Sequence, residues 1–371
     1  MSYNGYSNKQ NIIPNYTDTN KYLLDSYPDW NMFLDKLSLT VSRDYFFIDD
    51  TVKAFNEAYE LNKDMKSRGI KNVEYIISKK GSGYYQAEYK IHFTRYDRDS
   101  KSSVVDWNNH VLIQLNARCK GAKGIRIEYN PGKLTKGNID SLNELISSVC
   151  DYTFAQLIAL GTVTRIDVTC DVRGLILDKL LVHVVGKRKL NIHTNNGLLE
   201  SCYFGTPAAD YYCVYQKNIQ DLSVTGRVVR FEARLKPNMP LSELHSLPNP
   251  FIKMRVYDVH RPTGLSGSVR AYYRWFISQS RQYGLRKTLD ATSYGMVCSY
   301  VHILTEKAFN FIDADKWEEV FAGALRKGHL YKLKKPKIPK KYLLQVKPIS
   351  TKDYEDIDVC DDDIDDDHDD L

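Results

Sequence analysis

Between Val163 and Lys236 the chain sets carboxylates, arginines and tyrosines in alternating patterns that suit chemistry on a phosphodiester. Val163-Thr-Arg-Ile-Asp-Val-Thr-Cys-Asp-Val172 is followed by Cys202-Tyr-Phe-Gly205, Asp210-Tyr-Tyr-Cys-Val-Tyr-Gln-Lys217 and Arg230-Phe-Glu-Ala-Arg-Leu-Lys236. Successive strand residues face opposite sides of a sheet. As strands, these runs put Arg165, Asp167, Thr169 and Asp171 on one face, with Ile166, Val168, Cys170 and Val172 on the other. Arg230, Glu232 and Arg234 likewise oppose Phe231, Ala233 and Leu235. Asp167, Asp171 and Glu232 are hard oxygen ligands of the kind Mg²⁺ or Mn²⁺ takes while leaving positions for phosphate, and such an ion polarises a scissile phosphodiester. Tyr211, Tyr212 and Tyr215, with Tyr203 on the preceding strand, supply phenols able to form a covalent phosphotyrosine link. Alternation sets Tyr211, Tyr215 and Lys217 on one face and Tyr212 on the other. Lys217 is placed to lower a phenol's pKa or hold phosphate, and Arg165, Arg230 and Arg234 to stabilise developing charge. The same spacing has a plainer reading, in which the carboxylates only hold the arginines in ion pairs.

The elements that must position these groups are readable around them. Phe33 to Val41 ends in a strand pattern, and Thr51 to Arg68 reads as an amphipathic helix stopped by Gly69. Strands follow at Asn72–Ser78, Tyr84–Thr94, His110–Ala117 and Gly124–Tyr129. Apolar spacing predicts one helix from Asn138 to Leu160, ended by Gly161, and a short helix from Gly174 to Gly186 with Leu175, Leu177, Leu180, Leu181 and Val184 as its buried stripe. The basic loop Lys187-Arg188-Lys189 comes next, as a candidate phosphate contact. The turn-rich link Gly205–Asp210 predicts a hairpin, and so does the polar stretch ending at Gly226. Beyond residue 240 the pattern shifts towards helix, at Ser268–Gly284 and Asp315–Lys327. The expected class is α+β: a large twisted, mostly antiparallel β-sheet flanked by helices, with a C-terminal helical portion and a disordered acidic tail. The expected parts are a flexible arm over 1–30, a sheet domain over 31–238, a helical portion over 239–330, and a basic linker with acidic tail over 331–371.

Charge is segregated along the chain. Residues 353–371 hold twelve acidic side chains and no Lys or Arg, so removing them from the net charge of +6 leaves the first 352 residues at about +18. A body that basic expects a polyanion, because neutralising phosphates releases counterions. Nine Lys or Arg between Arg326 and Lys347, with prolines at 336, 339 and 348, predict an extended basic linker. The 27 tyrosines supply stacking area with a polar tip. No run of about 18 apolar residues, signal peptide or basic amphipathic anchor is present, so no membrane partner and a cytoplasmic location are expected. Seven widely spaced cysteines indicate reduced thiols, neither a disulfide framework nor a zinc site. The sequence lacks a His-x-His pair, and His92 reads as a lone structural strand histidine. It also lacks a Walker loop, which argues against a built-in helicase.

Taken in order, Thr164-Arg-Ile-Asp-Val-Thr-Cys-Asp171, Tyr203-Phe-Gly-Thr206, Tyr211-Tyr-Cys-Val-Tyr-Gln-Lys217 and Arg230-Phe-Glu-Ala-Arg-Leu235 resemble the replication initiation factor family. That family comprises trans-acting initiators of plasmid rolling-circle replication, with related conjugative relaxases and filamentous-phage replication proteins. The resemblance covers about residues 160–236 and reaches back to Leu37-Ser-Leu-Thr-Val41. It implies a metal-dependent protein of the bacterial cytoplasm that binds single-stranded, cruciform or melted origin DNA, nicks one strand through a tyrosine, and leaves a 3′-hydroxyl for a polymerase. It also implies a host helicase partner, a homodimer, and a sheet-based catalytic domain without a two-histidine motif. Carried over, the metal ligands are Asp167 and Glu232 with Asp171 as a third, and Tyr215 is preferred over Tyr212 and Tyr211 as nucleophile. Two other classes stay open: a non-catalytic DNA-binding regulator, and a structural nucleic-acid-binding protein built around the linker and tail.

Overall fold

Runs of β-branched and aromatic residues alternating with polar ones dominate the chain, and they form strands. The computed structural model describes residues 21–67, 74–80, 83–97, 102–117, 124–259, 267–292, 296 and 308–343. The fold is α+β: the described residues form eleven strands in one large antiparallel sheet, a separate three-stranded sheet, and helices. The chain divides into two compact units. One comprises Phe33–Asp167, Lys236–Leu247 and Ala322–Leu371, the other Met1–Met32, Val168–Leu235 and Pro248–Phe321. The expectations for the first 20 residues, the first two residues of Asn72–Ser78 and the acidic tail fall outside the described residues.

In the first unit, β1 (Trp30–Ser42, of which Phe33–Ser42 belongs to this unit), β2 (Tyr75–Lys80), β3 (Tyr85–Asp97), β4 (Ser102–Ala117) and β5 (Gly124–Tyr129) lie in the order β2-β3-β4-β5-β1. Register aligns Ile77, Ile91, Val111, Tyr129 and Leu37 across all five strands, and all five are buried. Burying such a row contributes about 1.5–3 kcal/mol per large side chain. The helix Ile48–Ser67 packs here through Phe55, which stacks on Tyr89 at 5.4 Å. The single helix expected from Asn138 to Leu160 is two, Lys136–Val149 and Phe154–Ala159. The reason is local: Thr153 forms a capping box with Gln156, as Thr135 does with Asn138, and each box satisfies orphan N–H groups and so starts a new helix. The basic stretch after Lys327 runs through turns and irregular backbone to the short helix Lys340–Leu343. There it docks: Tyr342 is buried, donates to Asp151, and lies 5.2 Å from Phe47 and 6.2 Å from Tyr152.

The strand β6 (Thr162–Arg173) begins in the first unit and ends in the second. The second unit also holds β7 (Leu180–Val184), β8 (Leu190–Asn195), β9 (Leu198–Phe204), β10 (Tyr211–Gln216) and β11 (Val228–Leu235), the last four in the order β11-β10-β9-β8. The helix expected over Gly174–Gly186 is replaced by a 3₁₀ turn, Leu177–Lys179, and β7. A short apolar run fits either period, and β13 (Met254–Asp258) decides the matter by offering β7 a hydrogen-bonding partner. β14 (Ala308–Asn310) completes that small sheet, while β12 (Met239–Pro240) pairs with the start of β6 in the first unit. The helix Gly267–Tyr283 buries Tyr273, Phe276 and Ile277 against Leu181, Tyr257, Leu285 and Leu289. Phe231, Phe251, Phe311, Trp317 and Phe321 form a chain of ring contacts. Phe231 ties that aromatic layer to the apolar face of β11, opposite its arginines. Leu23 and Leu24 are buried too, with the Leu24 N–H donating to the Phe311 carbonyl. Among the described residues no helix is long and apolar enough to cross a membrane.

Candidate active site

The second unit concentrates its polar side chains on one face of β8–β11. Antiparallel register sets Tyr215 opposite Arg230, Cys213 opposite Glu232 and Tyr211 opposite Arg234. Directly opposed residues share a face, so the phenols of β10 and the charges of β11 are interleaved as their alternation requires. The Tyr215 hydroxyl donates to Glu232 Oε2 at 3.4 Å and accepts from Arg230 Nη1 at 3.5 Å, with the guanidinium carbon 5.9 Å from the ring centre. These contacts are at the long end of hydrogen-bond distance. Gln216 fixes the strand end that carries Tyr215. Its side-chain oxygen accepts from Leu177 N at 2.9 Å, and its amide donates to Asn218 Oδ1 at 2.7 Å and to the Val228 carbonyl at 3.1 Å. Sequence reasoning quoted this glutamine without giving it a role; it is buried and faces away from the phenol.

Each predicted carboxylate holds a guanidinium. In the second unit Arg230 binds Asp171 through two bonds of 2.6 and 2.8 Å. Arg234 Nε donates to Glu232 Oε1 at 2.6 Å. In the first unit Arg165 forks onto Asp167 with two bonds of 2.9 Å. Bidentate arginine–carboxylate pairs of this kind are short and directional. Among the described residues no three His, Cys, Asp or Glu are gathered to hold a cation.

The remaining candidates are distributed over the second unit. Tyr211 is half-buried on the same face as Tyr215, with Arg234 5.8 Å from its ring centre. Tyr212 lies on the opposite, core face, where its hydroxyl donates to the Pro250 carbonyl at 3.3 Å and burial pushes its pKa up to about 12. Lys217 begins the short helix Lys217–Gln220 and pairs with Asp221 at 3.5 Å. Lys187 donates to the Asp210 carbonyl beside Gly205, which has φ +99°. A Cβ at Gly205 would stand 3.0 Å from the Asp210 oxygen and 3.3 Å from Lys187 Cδ, so glycine permits this close approach. Arg188 and Lys189 are exposed.

His92 is not alone. In the first unit it lies directly opposite His110, ring centres 5.3 Å apart, with Trp107 at 4.8 Å. Burial, then the charges of His110 and Lys90, hold the His92 pKa down to about 4. The pairing joins residues 18 apart through a hairpin, so only the register reveals it.

No family model matches the chain, and no curated protein matches it. Among solved structures, the chain is similar to one titled "Structure of Rolling Circle Replication Initiator Protein from Geobacillus stearothermophilus". Identity is 14%, covering 69% of this chain and 98% of that one, with a TM-score of 0.32.

Proposed function

We propose that the protein initiates rolling-circle DNA replication by nicking and rejoining one origin strand, with Tyr215 as nucleophile. The observation that supports this reading is the Tyr215 phenol held between the Glu232 carboxylate and the Arg230 guanidinium, on a strand whose motif resembles that of replication initiation factors. In the step proposed, the Tyr215 oxygen forms a bond to phosphorus while Glu232 accepts the phenolic proton and Arg230 stabilises the developing negative charge. The bond from phosphorus to the 3′ oxygen breaks, the departing oxygen takes a proton from water, and the 5′ phosphate stays on the tyrosine. The reverse reaction reseals the strand. On the same reading the free 3′-hydroxyl primes a polymerase, a host helicase opens the duplex, and a homodimer acts in the bacterial cytoplasm.

One observation favours a second reading, a non-catalytic DNA-binding regulator: all three predicted carboxylates are engaged by arginines. A single experiment separates the two. Single-stranded oligonucleotides spanning the native origin are incubated with the full chain in Mg²⁺, Mn²⁺ or EDTA and resolved on a denaturing gel. A protein–DNA adduct lost in Tyr215→Phe and kept in Tyr212→Phe supports the initiator. Origin binding of equal strength in all three conditions, with no adduct, supports the regulator.

A further inference from the structure

Beyond Tyr215, the same face of the second unit carries a row of rings. Tyr203 and Tyr211 lie side by side on β9 and β10, centres 5.9 Å apart and planes within 17°. His193 of β8 meets Tyr203 edge-on at 5.5 Å, and Arg234 lies 5.8 Å from the Tyr211 ring centre. Both tyrosines are half-buried and His193 is exposed, so the rings are braced by the sheet yet open to solvent. The basic loop is fastened at the same end of the sheet: Gly205 N donates to the Lys189 carbonyl at 2.9 Å, and Lys187 donates to the Asp210 carbonyl. Two near-parallel phenol rings beside Arg234, Lys187, Arg188 and Lys189 combine stacking area with positive charge.

We infer that Tyr203 and Tyr211 form a stacking platform for the unpaired bases of single-stranded DNA, with Arg188, Lys189 and Arg234 holding its phosphates. Every base has a π-face, so such a platform accepts single strands with little sequence preference, whereas paired bases inside a duplex are already stacked. Tyr211 and Tyr215 are four residues apart on one strand, about 13 Å. The platform therefore grips nucleotides flanking the scissile phosphate rather than the phosphate itself. This deepens the initiator reading and rests on it for that flanking role. It also assigns Tyr211 to stacking rather than to nucleophilic attack.

The test is fluorescence anisotropy of the full chain with labelled oligothymidylate, which carries no origin sequence to be nicked. Tyr203→Ala and Tyr211→Ala each weaken binding about tenfold, while Tyr203→Phe and Tyr211→Phe keep wild-type affinity because the ring remains. An oligonucleotide of equal length carrying abasic sites binds wild type and both alanine variants alike. Alanine variants that lose as much affinity for the abasic strand, or phenylalanine variants that lose as much as alanine, would overturn the platform. The outcome is separable from nicking. Base-dependent binding without a Tyr215 adduct removes the strand-transfer reading alone, and adduct formation without base-dependent binding removes the platform alone.

Discussion

Both units carry a polar sheet face with carboxylates and arginines, and the two faces differ in what surrounds the charges. On the first unit's face Glu128 accepts from Ser38 at 2.7 Å, pairs with Lys36 and Arg126 at 2.9 Å, and belongs to a chain running from Arg126 through Gln114 to Glu88. Burial works to raise the Glu128 pKa, but Lys36, Arg126 and the Ser38 bond outweigh it and hold the carboxyl below its ordinary value. On β10 and β11 the charges instead alternate with phenols, and Glu232 is bonded to both a guanidinium and the Tyr215 hydroxyl. A polar face by itself is thus a structural device. A carboxylate that also reaches a potential nucleophile is a candidate site.

The sharpest way to break this comparison is to remove one carboxylate from each face. Glu232→Gln should lower the nicking rate at least about 100-fold, the lower end for a lost general base, while Glu128→Gln leaves it unchanged. A gel-based time course of adduct formation reads both, and equal losses would erase the distinction. Next in size, Arg230→Lys removes the bidentate fork on Asp171. It should cost about 2 kcal/mol by urea unfolding, because a partly buried carboxylate loses its matched partner.

Glu128→Gln should cost about 1 kcal/mol at pH 7. A depressed carboxyl pKa means that this contribution is present above the unfolded value of 4.5 and lost as pH falls through the folded one, so the two proteins should converge in acid. Urea melts from pH 7 to 3 check this. The smallest effect at neutral pH belongs to His92. Its folded pKa is lowered to about 4 from 6.5, so the unfolded chain binds the proton first. Stability should therefore decline as pH drops from about 6.5 towards 4, and His92→Gln should flatten that part of the thermal-melt profile.

Much of this architecture was legible because period-2 alternation is a local property. The opposite facing of Tyr215 and Tyr212, of Arg230 and Phe231, and of Asp171 and Val172 follows from their positions in the sequence, and the strand order refines none of it. The hairpin at Gly205–Asp210 was legible from its turn residues. The misreadings arose where local signals were ambiguous. Leu180–Val184 fits a helix or a strand, and only its pairing with β13 settled it. The break between Val149 and Phe154 turned on the capping box of Thr153, which the apolar spacing masked.

Sequence by itself determined which residues share a face, the basic character of the chain before its acidic end, and the presence of phenols among carboxylates and arginines. These depend on chain geometry and charge, which need no partner. Tertiary structure decided the pairings: Arg230 with Asp171, Tyr215 with Glu232, Tyr203 beside Tyr211, His92 opposite His110. Such contacts join residues from different strands, so they exist only once the register has been chosen, and the register is set by burial and hydrogen bonding summed over whole strands rather than by any one residue.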